Sequence, residues 1–376
     1  MDFKIPSFSS LFKQEAKSVI GVDIGSSSIK VVQLRHERGR VILETYGAIA
    51  LGPYAGIEIG RATALGADKI AEALKDVIRE ANVTTTDAAI SIPYSSSLVS
   101  IIKLPSTVER QLAQVVPIEA RKYIPVPINE VLLDWFVVSG GKGSAPSADG
   151  KIEVLLVAIH NDTISKFRSI ASNANLAAAF FEIEVFSATR ASLEHGIAPV
   201  AVVDMGAATT KFYVVERGLI HESHIINHGA QDLTLAASRA LGLSVVQAEE
   251  RKRKFGLLGT PPPSIGMATP GLAAPGSLKQ SIELSLSPLL SELSRTITAY
   301  EQRTGQTLGA LVLAGGGATL KGLKEFAQNK IQTEIRLSEP FAKTQAPAFL
   351  EAILKEAGPE FSVAVGLALR RLQELG

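Results

Sequence analysis

Two short runs of this chain carry the same chemical groups in the same order. Asp23-Ile24-Gly25-Ser26-Ser27-Ser28 leads to Lys30, and Asp204-Met205-Gly206-Ala207-Ala208-Thr209-Thr210 leads to Lys211. In each, an apolar strand ends in Asp-x-Gly, small residues make a tight turn, and a second strand returns. Gly25 frees the backbone to turn so that successive N–H groups and serine hydroxyls point at one anion, which is how a phosphate is cradled. Gly206, Ala207 and Thr209 offer the same equipment. Two such tips facing each other across a cleft would grip a polyphosphate from both sides. Asp23 and Asp204 would then hold Mg²⁺ through water, because that ion prefers oxygen ligands and keeps much of its hydration shell. Lys30 adds a positive charge. One Asp-x-Gly turn is a weak signal; a matched pair is a strong one.

A third element has a similar character. The strand Leu311-Val312-Leu313 runs into Gly315-Gly316-Gly317 and then a helix. Three residues without a β-carbon let the backbone come close to a flat base or sugar. No Gly-x4-Gly-Lys-Ser/Thr run occurs, so this is not a Walker A loop. Other candidates for chemistry read as structural. His221, His224 and His228 cannot share a metal if the first two alternate faces of a strand, and are expected at the surface or in turns. The run from Glu249 to Lys254 reads as a mostly solvated helix face. Asp134 and Asp162 are the carboxylates on offer as a kinase base, but the first fits a β-strand and the second a helix cap.

The elements that must position these groups alternate along the chain in an α/β pattern with early antiparallel hairpins. The segment GVDIGSSSIKVVQLRHERGRVILETYG is answered by AVVDMGAATTKFYVVERGLIHESHIINHG, aligned at Asp23 and Asp204, each with an Arg-Gly turn between its last two strands. A strand–hairpin–strand unit is therefore used twice. Between the copies come a helix near 65–81, strands AAISIPY and LVSIIKL, a helix near 108–121, strands VLLDWFVV and IEVLLVAIH, and a helix opened by Asn161 or Asp162. Loops are expected at 139–150 and 257–277, where Gly, Pro, Ser and Ala crowd together.

Composition narrows the class. With 46% hydrophobic residues the 376-residue chain has material for two sizeable cores. Lys+Arg 38 against Asp+Glu 37 leaves a formal charge of +1, so no global field draws it to nucleic acid or to an acidic membrane. Cys 0 removes disulfides, thiolate metal sites and a cysteine nucleophile, which suits a reducing cytosol. No apolar run reaches the ~18–20 residues of a membrane span. The first residues lack the apolar core of a signal peptide, yet Phe3, Ile5, Phe8, Leu11 and Phe12 stand out on a polar tail, which reads as an arm folded back on its own domain.

The three elements, in this order, resemble the actin, FtsA and Hsp70 ATPase superfamily: phosphate loops at Asp23 to Lys30 and Asp204 to Lys211, and an adenosine loop at Gly315 to Gly317. The resemblance implies an actin-like ATPase fold of two duplicated ribonuclease-H-like domains binding ATP and Mg²⁺. It also implies connecting helices near 186–195 and 361–371, and it assigns Glu249 and Lys252 to the ribose and adenine. The superfamily's water-orienting Gln or Glu falls at Ser187 here, with Glu184 nearby, so firm ATP binding with slow or absent hydrolysis is expected and the chain is at most a weak ATPase. Within the superfamily, IEARKYIPVPINEVLLDW and IGVDIGSSSIKVVQL look like the PilM family of type IV pilus assembly proteins. The expected division is a tail at 1–17, a first domain (1A) over 18–84 and 176–198, an inserted subdomain (1C) over 85–175, and a second domain (2A/2B) over 199–376. Membership implies a cytoplasmic adaptor at the inner face of the cytoplasmic membrane, touching the membrane only through partners. Those partners would be the cytoplasmic N-terminal peptide of PilN and the pilus motor ATPases, and self-association is compatible with the same reading. Tyr94, Leu104, Val116 and Tyr123 are candidates for the peptide groove. An FtsA-like division protein is the alternative, disfavoured because the chain stops at Leu375-Gly376 without FtsA's amphipathic tail; a small-molecule kinase comes after it.

Overall fold

An apolar run such as Ser18–Ile24 needs cover on both faces, and it receives it. The computed structural model describes residues 17–139, 150–194, 196, 198–259 and 277–375. In it, β1 (Ser18–Ile24) is the middle of a five-stranded sheet. It pairs antiparallel with β2 (Ser28–Glu37), which pairs with β3 (Arg40–Ala50), and parallel with β4 (Asp87–Ile92), which is followed by β8 (Ala177–Ile183). Strand alternation sends Ile20, Val22 and Ile24 to one face and Val19 and Gly21 to the other. The first set packs with α1 (Ala67–Glu80) and α3 (Asn161–Asn173), and the second lies under α10 (Ser362–Leu375).

The second sheet repeats the first in order and direction: β11 (Leu219–Ile226), β10 (Thr210–Glu216), β9 (Val200–Met205), β12 (Ala310–Ala314) and β13 (Ile335–Leu337). Both hairpins close through two-residue turns with positive φ at each central residue, 51° and 78° at Arg38-Gly39 and 50° and 81° at Arg217-Gly218. That is the mirror-image turn whose twist matches the strands it joins. Even the β-bulge recurs, at Gln33/Leu34 and at Val214/Val215. One face of the second sheet is covered by α5 (Ala230–Leu241), α6 (Val245–Phe255) and α7 (Leu278–Thr304). On the other face Val202, Tyr213 and Val312 join the core of the first lobe, so the lobes share apolar packing.

A three-stranded antiparallel sheet is inserted in the first lobe, ordered β5 (Ser97–Pro105), β7 (Lys151–His160) and β6 (Val131–Ser139). Ile102, Leu104, Ile152 and Val154 pack on Val116 and Ala120 of α2 (Leu112–Ala120). Val99, Leu155 and Ile159 join the core of the first lobe.

Four sequence-based boundaries move. The insertion is narrower than 85–175, because β4 pairs with β1 and α3 packs on α1, both in the first lobe. The span 199–376 does not stay in the second lobe, because α10 returns to the first. Ala364, Val365, Gly366, Leu367 and Ala368 of α10 are all buried, and a helix apolar on every side must be enclosed. It is pressed between β1 and α4 (Glu184–Ser192), so its small residues serve packing within the first lobe rather than a crossing between lobes. A β-carbon on Gly21 would lie 1.9 Å from the Ala364 carbonyl oxygen, and one on Gly366 would lie 1.9 Å from that of Ser187. The connecting helix starts at Glu184 rather than 186, and α3 starts at Asn161 with His160 as its cap residue and no side-chain cap. The N-terminal tail lies outside the described residues, as do residues 140–149 and 260–276 of the two expected loops.

Candidate functional site

The two hairpin tips face one cleft of about 830 Å³. β1 and β9 end at Asp23 and Asp204, and each aspartate is in register with the lysine of its returning strand, Asp23 with Lys30 and Lys211 with Asp204. The turns are closed alike, by the Gly25 N–H on the Ser28 carbonyl at 3.0 Å and the Gly206 N–H on the Thr209 carbonyl at 2.9 Å. Gly25 and Gly206 are not in the left-handed region, contrary to the expectation of a special backbone angle. Their need is space, since a β-carbon would meet the Ser28 carbonyl at 3.2 Å and the Thr209 carbonyl at 3.0 Å. From the first tip Ser26, Ser27, Ser28 and Lys30 line the cleft; from the second, Ala207 and Thr209 do.

Asp23 is buried and accepts a hydrogen bond from the Ser91 hydroxyl at 3.0 Å, and that same oxygen of Ser91 accepts the Ile24 N–H at 3.1 Å. Burial raises its carboxyl above the ordinary range although Lys30 and Lys211 oppose the shift. Across the cleft, Lys211 Nζ donates to Glu184 Oε2 at 2.7 Å and to Asp204 Oδ2 at 3.0 Å. Burial works against its charge, but Asp204 and Glu184 outweigh that and keep it protonated beyond the usual lysine range. Glu184 opens α4, and its Oε1 accepts the Tyr94 N–H at 2.6 Å.

Glu249 and Lys252 form a buried pair on α6 that lines the cleft, while their charged neighbours on the helix are exposed. Lys252 Nζ donates to Thr234 Oγ1 at 2.8 Å and to the Ala230 carbonyl at 3.0 Å. Burial lowers the Lys252 pKa; it would raise that of Glu249, but Lys252 holds the carboxyl below its ordinary value. The connection from β3 to α1 straps the cleft: the Thr63 N–H donates to the Ser26 carbonyl at 2.8 Å, and the Ala62 N–H to Gln231 Oε1 of the second lobe at 3.1 Å.

The glycine run divides its labour. Gly315 has φ +81°, and a β-carbon there would lie 2.3 Å from Asp204 Oδ1; one on Gly317 would lie 2.3 Å from Met205 Cγ. Only Gly316 has open space around it. Two of the three glycines therefore let the loop press on the end of β9, and one leaves room in the cleft.

Ser187 is not where the sequence count puts it. It does not line the cleft; it is wholly buried, donates its hydroxyl to Glu182, and is backed by Gly366. Glu184, the first residue of α4, reaches the cleft and Lys211 of the second lobe, while Ser187 one turn later is covered by Glu182 and Gly366. Of the four groove candidates, Tyr94, Leu104 and Val116 are buried and only Tyr123 is exposed. Asp134 and Asp162 are exposed and do not line the cleft. Among the described residues no group of three or more His, Cys, Asp and Glu is placed to hold a metal; His224 pairs with Glu292 and His228 with Ser285. Sequence reasoning missed the Lys211 ion pairs, the Ser91 bridge and the strap. Only the first left a trace, the lysine matching Lys30 in the repeat.

Comparison with known proteins bears on this geometry. The family described as "Type IV pilus assembly protein PilM" matches residues 21–260, and that described as "Cell division protein FtsA" matches residues 201–366. The cell division protein FtsA of Helicobacter pylori (strain J99) is 31% identical over 186 residues, covering 45% of this chain and 36% of that protein. The chain thus spans little more than a third of that relative. A solved PilM-PilN type IV pilus biogenesis complex matches with a TM-score of 0.75 at 22% identity, over 94% of this chain and 98% of that one. MreB5 of Spiroplasma citri bound to ADP matches with a TM-score of 0.51 at 12% identity, over 96% and 99%. At these identities the structures speak for the fold, which is the α/β actin-like ATPase fold with mixed sheets.

Proposed function

The chain belongs to the family of the type IV pilus assembly protein PilM, and on that footing we propose that it is an ATP-binding cytoplasmic adaptor that hydrolyses ATP slowly or not at all. The observation that carries the nucleotide is the pair of duplicated hairpin tips facing one cleft of about 830 Å³, within the range of small-molecule sites. The residues fit the group. Lys30 stands at the phosphate end, Gly316 leaves room for a base or sugar, and Glu249 keeps a lone pair on Oε1 for a ribose hydroxyl, held in place by Lys252, whose own N–H groups are taken by Glu249, Thr234 and Ala230. Mg²⁺ fits as well: Asp23 Oδ2 and Asp204 Oδ1 make no hydrogen bond among the described residues, and both are the hard oxygen ligands this ion prefers. Bound there, it would offset the charge of the terminal phosphates.

The adaptor role rests on the insertion. Among the described residues β6 is an edge strand with one neighbour, and Leu132 and Phe136 lie on one face of it, 53% and 46% exposed. An unpaired edge beside apolar side chains suits an extended peptide that adds as a strand. The solved PilM-PilN complex supports PilN as the kind of partner, and the cytoplasmic N-terminal peptide of PilN is the occupant proposed for this edge. In this reading the chain sits at the inner face of the cytoplasmic membrane through that partner and communicates with the pilus motors; among the described residues no helix is long and apolar enough to cross a membrane. The FtsA likeness over residues 201–366 favours a division protein as the second reading, but the match over 21–260 takes in the insertion. Titration of a labelled PilN N-terminal peptide, with and without Mg-ATP, tests the adaptor. Saturable binding is expected; its absence in both conditions turns the reading toward FtsA.

A further inference from the structure

Lys30 and Lys211 hold the same place in the two hairpins, yet their surroundings differ. Lys30 Nζ donates to Ser28 Oγ at 3.0 Å, within its own turn. Lys211 Nζ is held between Glu184 and Asp204 at 2.7 and 3.0 Å, with all three side chains largely buried. Glu184 lines the cleft at the start of α4, and it is the one carboxylate there brought by the first connecting helix. Both of its oxygens are engaged, Oε2 by Lys211 and Oε1 by the Tyr94 N–H. Each oxygen keeps a lone pair, but Lys211 and the Tyr94 N–H fix the plane of the carboxylate and so the directions in which it could hold a water.

We propose that Lys211 is a brake, a positioning residue that occupies Glu184 and thereby keeps hydrolysis of a bound nucleoside triphosphate slow. The proposal rests on the nucleotide reading above. In the restrained reaction the oxygen of a water bonds to the terminal phosphorus while the bond from that phosphorus to the bridging oxygen breaks. The electron pair leaves with the diphosphate, and a proton of the water passes to the Glu184 carboxylate and on to the released phosphate. Correct orientation by such a group is worth about 10²–10⁴ in rate, so occupying it is an effective restraint. The lock is durable because separating it strands a buried charge on either side.

The full chain tests this with Lys211→Met, Glu184→Gln, the double variant and Lys211→Arg. Two readouts are taken: affinity for a non-hydrolysable ATP analogue with Mg²⁺, and single-turnover hydrolysis of ATP. Lys211→Met should hydrolyse on the order of tenfold faster or more. The gain should vanish in the double variant, and Lys211→Arg should stay at the native rate. Glu184→Gln should bind the analogue about three- to tenfold tighter, because Lys211 is then free for a phosphate oxygen, and the double variant should not. A Lys211→Met protein that binds the analogue but hydrolyses at the native rate overturns the brake, as does one that cannot bind it. Should that variant fail to fold, the affinity of Glu184→Gln decides alone, and no gain there overturns the brake. A native chain that does not bind the analogue sinks the nucleotide reading and the brake with it; binding without any change among the variants sinks the brake only.

Discussion

Neighbouring glycines in the loop after β12 should respond in opposite ways to the same substitution. Gly315→Ala places a β-carbon 2.3 Å from Asp204 Oδ1 and 2.7 Å from the Met205 carbonyl oxygen, at φ +81°. With ψ at 168° this is extended backbone of positive φ, essentially confined to glycine, and it costs a side chain about 1–3 kcal/mol. Forcing a methyl into a filled space costs about 1–3 kcal/mol more. The sum, roughly 2–6 kcal/mol, should lower the melting temperature by about 4–24 °C at the ~2–4 °C per kcal/mol of large domains. Asp204 must give way, so Mg-ATP affinity should fall at least about tenfold, the equivalent of ~1.4 kcal/mol. Gly316→Ala meets nothing within 4 Å and needs no left-handed angle, so it should stay within about 0.5 kcal/mol of the native protein. Thermal melts of both variants, followed by nucleotide titration, make the comparison. If the two melt within about two degrees of each other, the loop does not press on β9 as described.

Ser187→Ala should leave Mg-ATP affinity unchanged, because the hydroxyl faces Glu182 and not the cleft, while costing about 1 kcal/mol for a lost buried hydrogen bond, read by urea denaturation. Glu182 is held below its usual pKa: burial opposes this, but Arg190, Ser187 and Arg370 prevail. A carboxyl lowered by folding stabilises the native state above its unfolded pKa, and that support is lost as pH falls through the folded value. Melts between pH 3 and pH 7 should therefore show an acid-side loss of stability that Glu182→Gln reduces; an identical slope in the variant refutes the assignment. Phe136→Asp should weaken peptide binding about tenfold or more, as loss of an exposed apolar anchor would, and leave the melting temperature and nucleotide affinity in place. Retained peptide affinity would locate the groove elsewhere.

Much of this site is legible in the amino-acid sequence. Two Asp-x-Gly turns, each followed by a lysine in register and by an Arg-Gly turn, specify matching hairpins through local rules of backbone angle and strand alternation. Those rules act over a few residues, so the repeat, the strand ends and the cleft residues they carry can be named from the sequence. Ser187 is reached by counting back from Gly196 as the close of the helix, but α4 already ends at Ser192, an end the sequence does not mark, so the count crosses residues outside the helix. Tyr94, Leu104 and Val116 read from the sequence as core residues sooner than as groove residues, and the structure buries all three; which apolar residue stays exposed, as Tyr123 does, depends on which sheet lies opposite, and no local pattern says that.

The chain by itself thus determined the duplicated phosphate-type turns, the third glycine-rich loop and the α/β class, all properties of short segments. Only the tertiary structure decided that α10 returns to the first lobe, that Gly315 and Gly317 serve packing while Gly316 serves the cleft, and that Lys211 but not Lys30 is paired to Glu184. The physical reason is the same in each case. Hydrogen-bonding geometry and periodicity are written along the backbone, whereas which distant side chains meet is settled by how whole layers pack, and two identical local motifs acquire different partners once they face different neighbours.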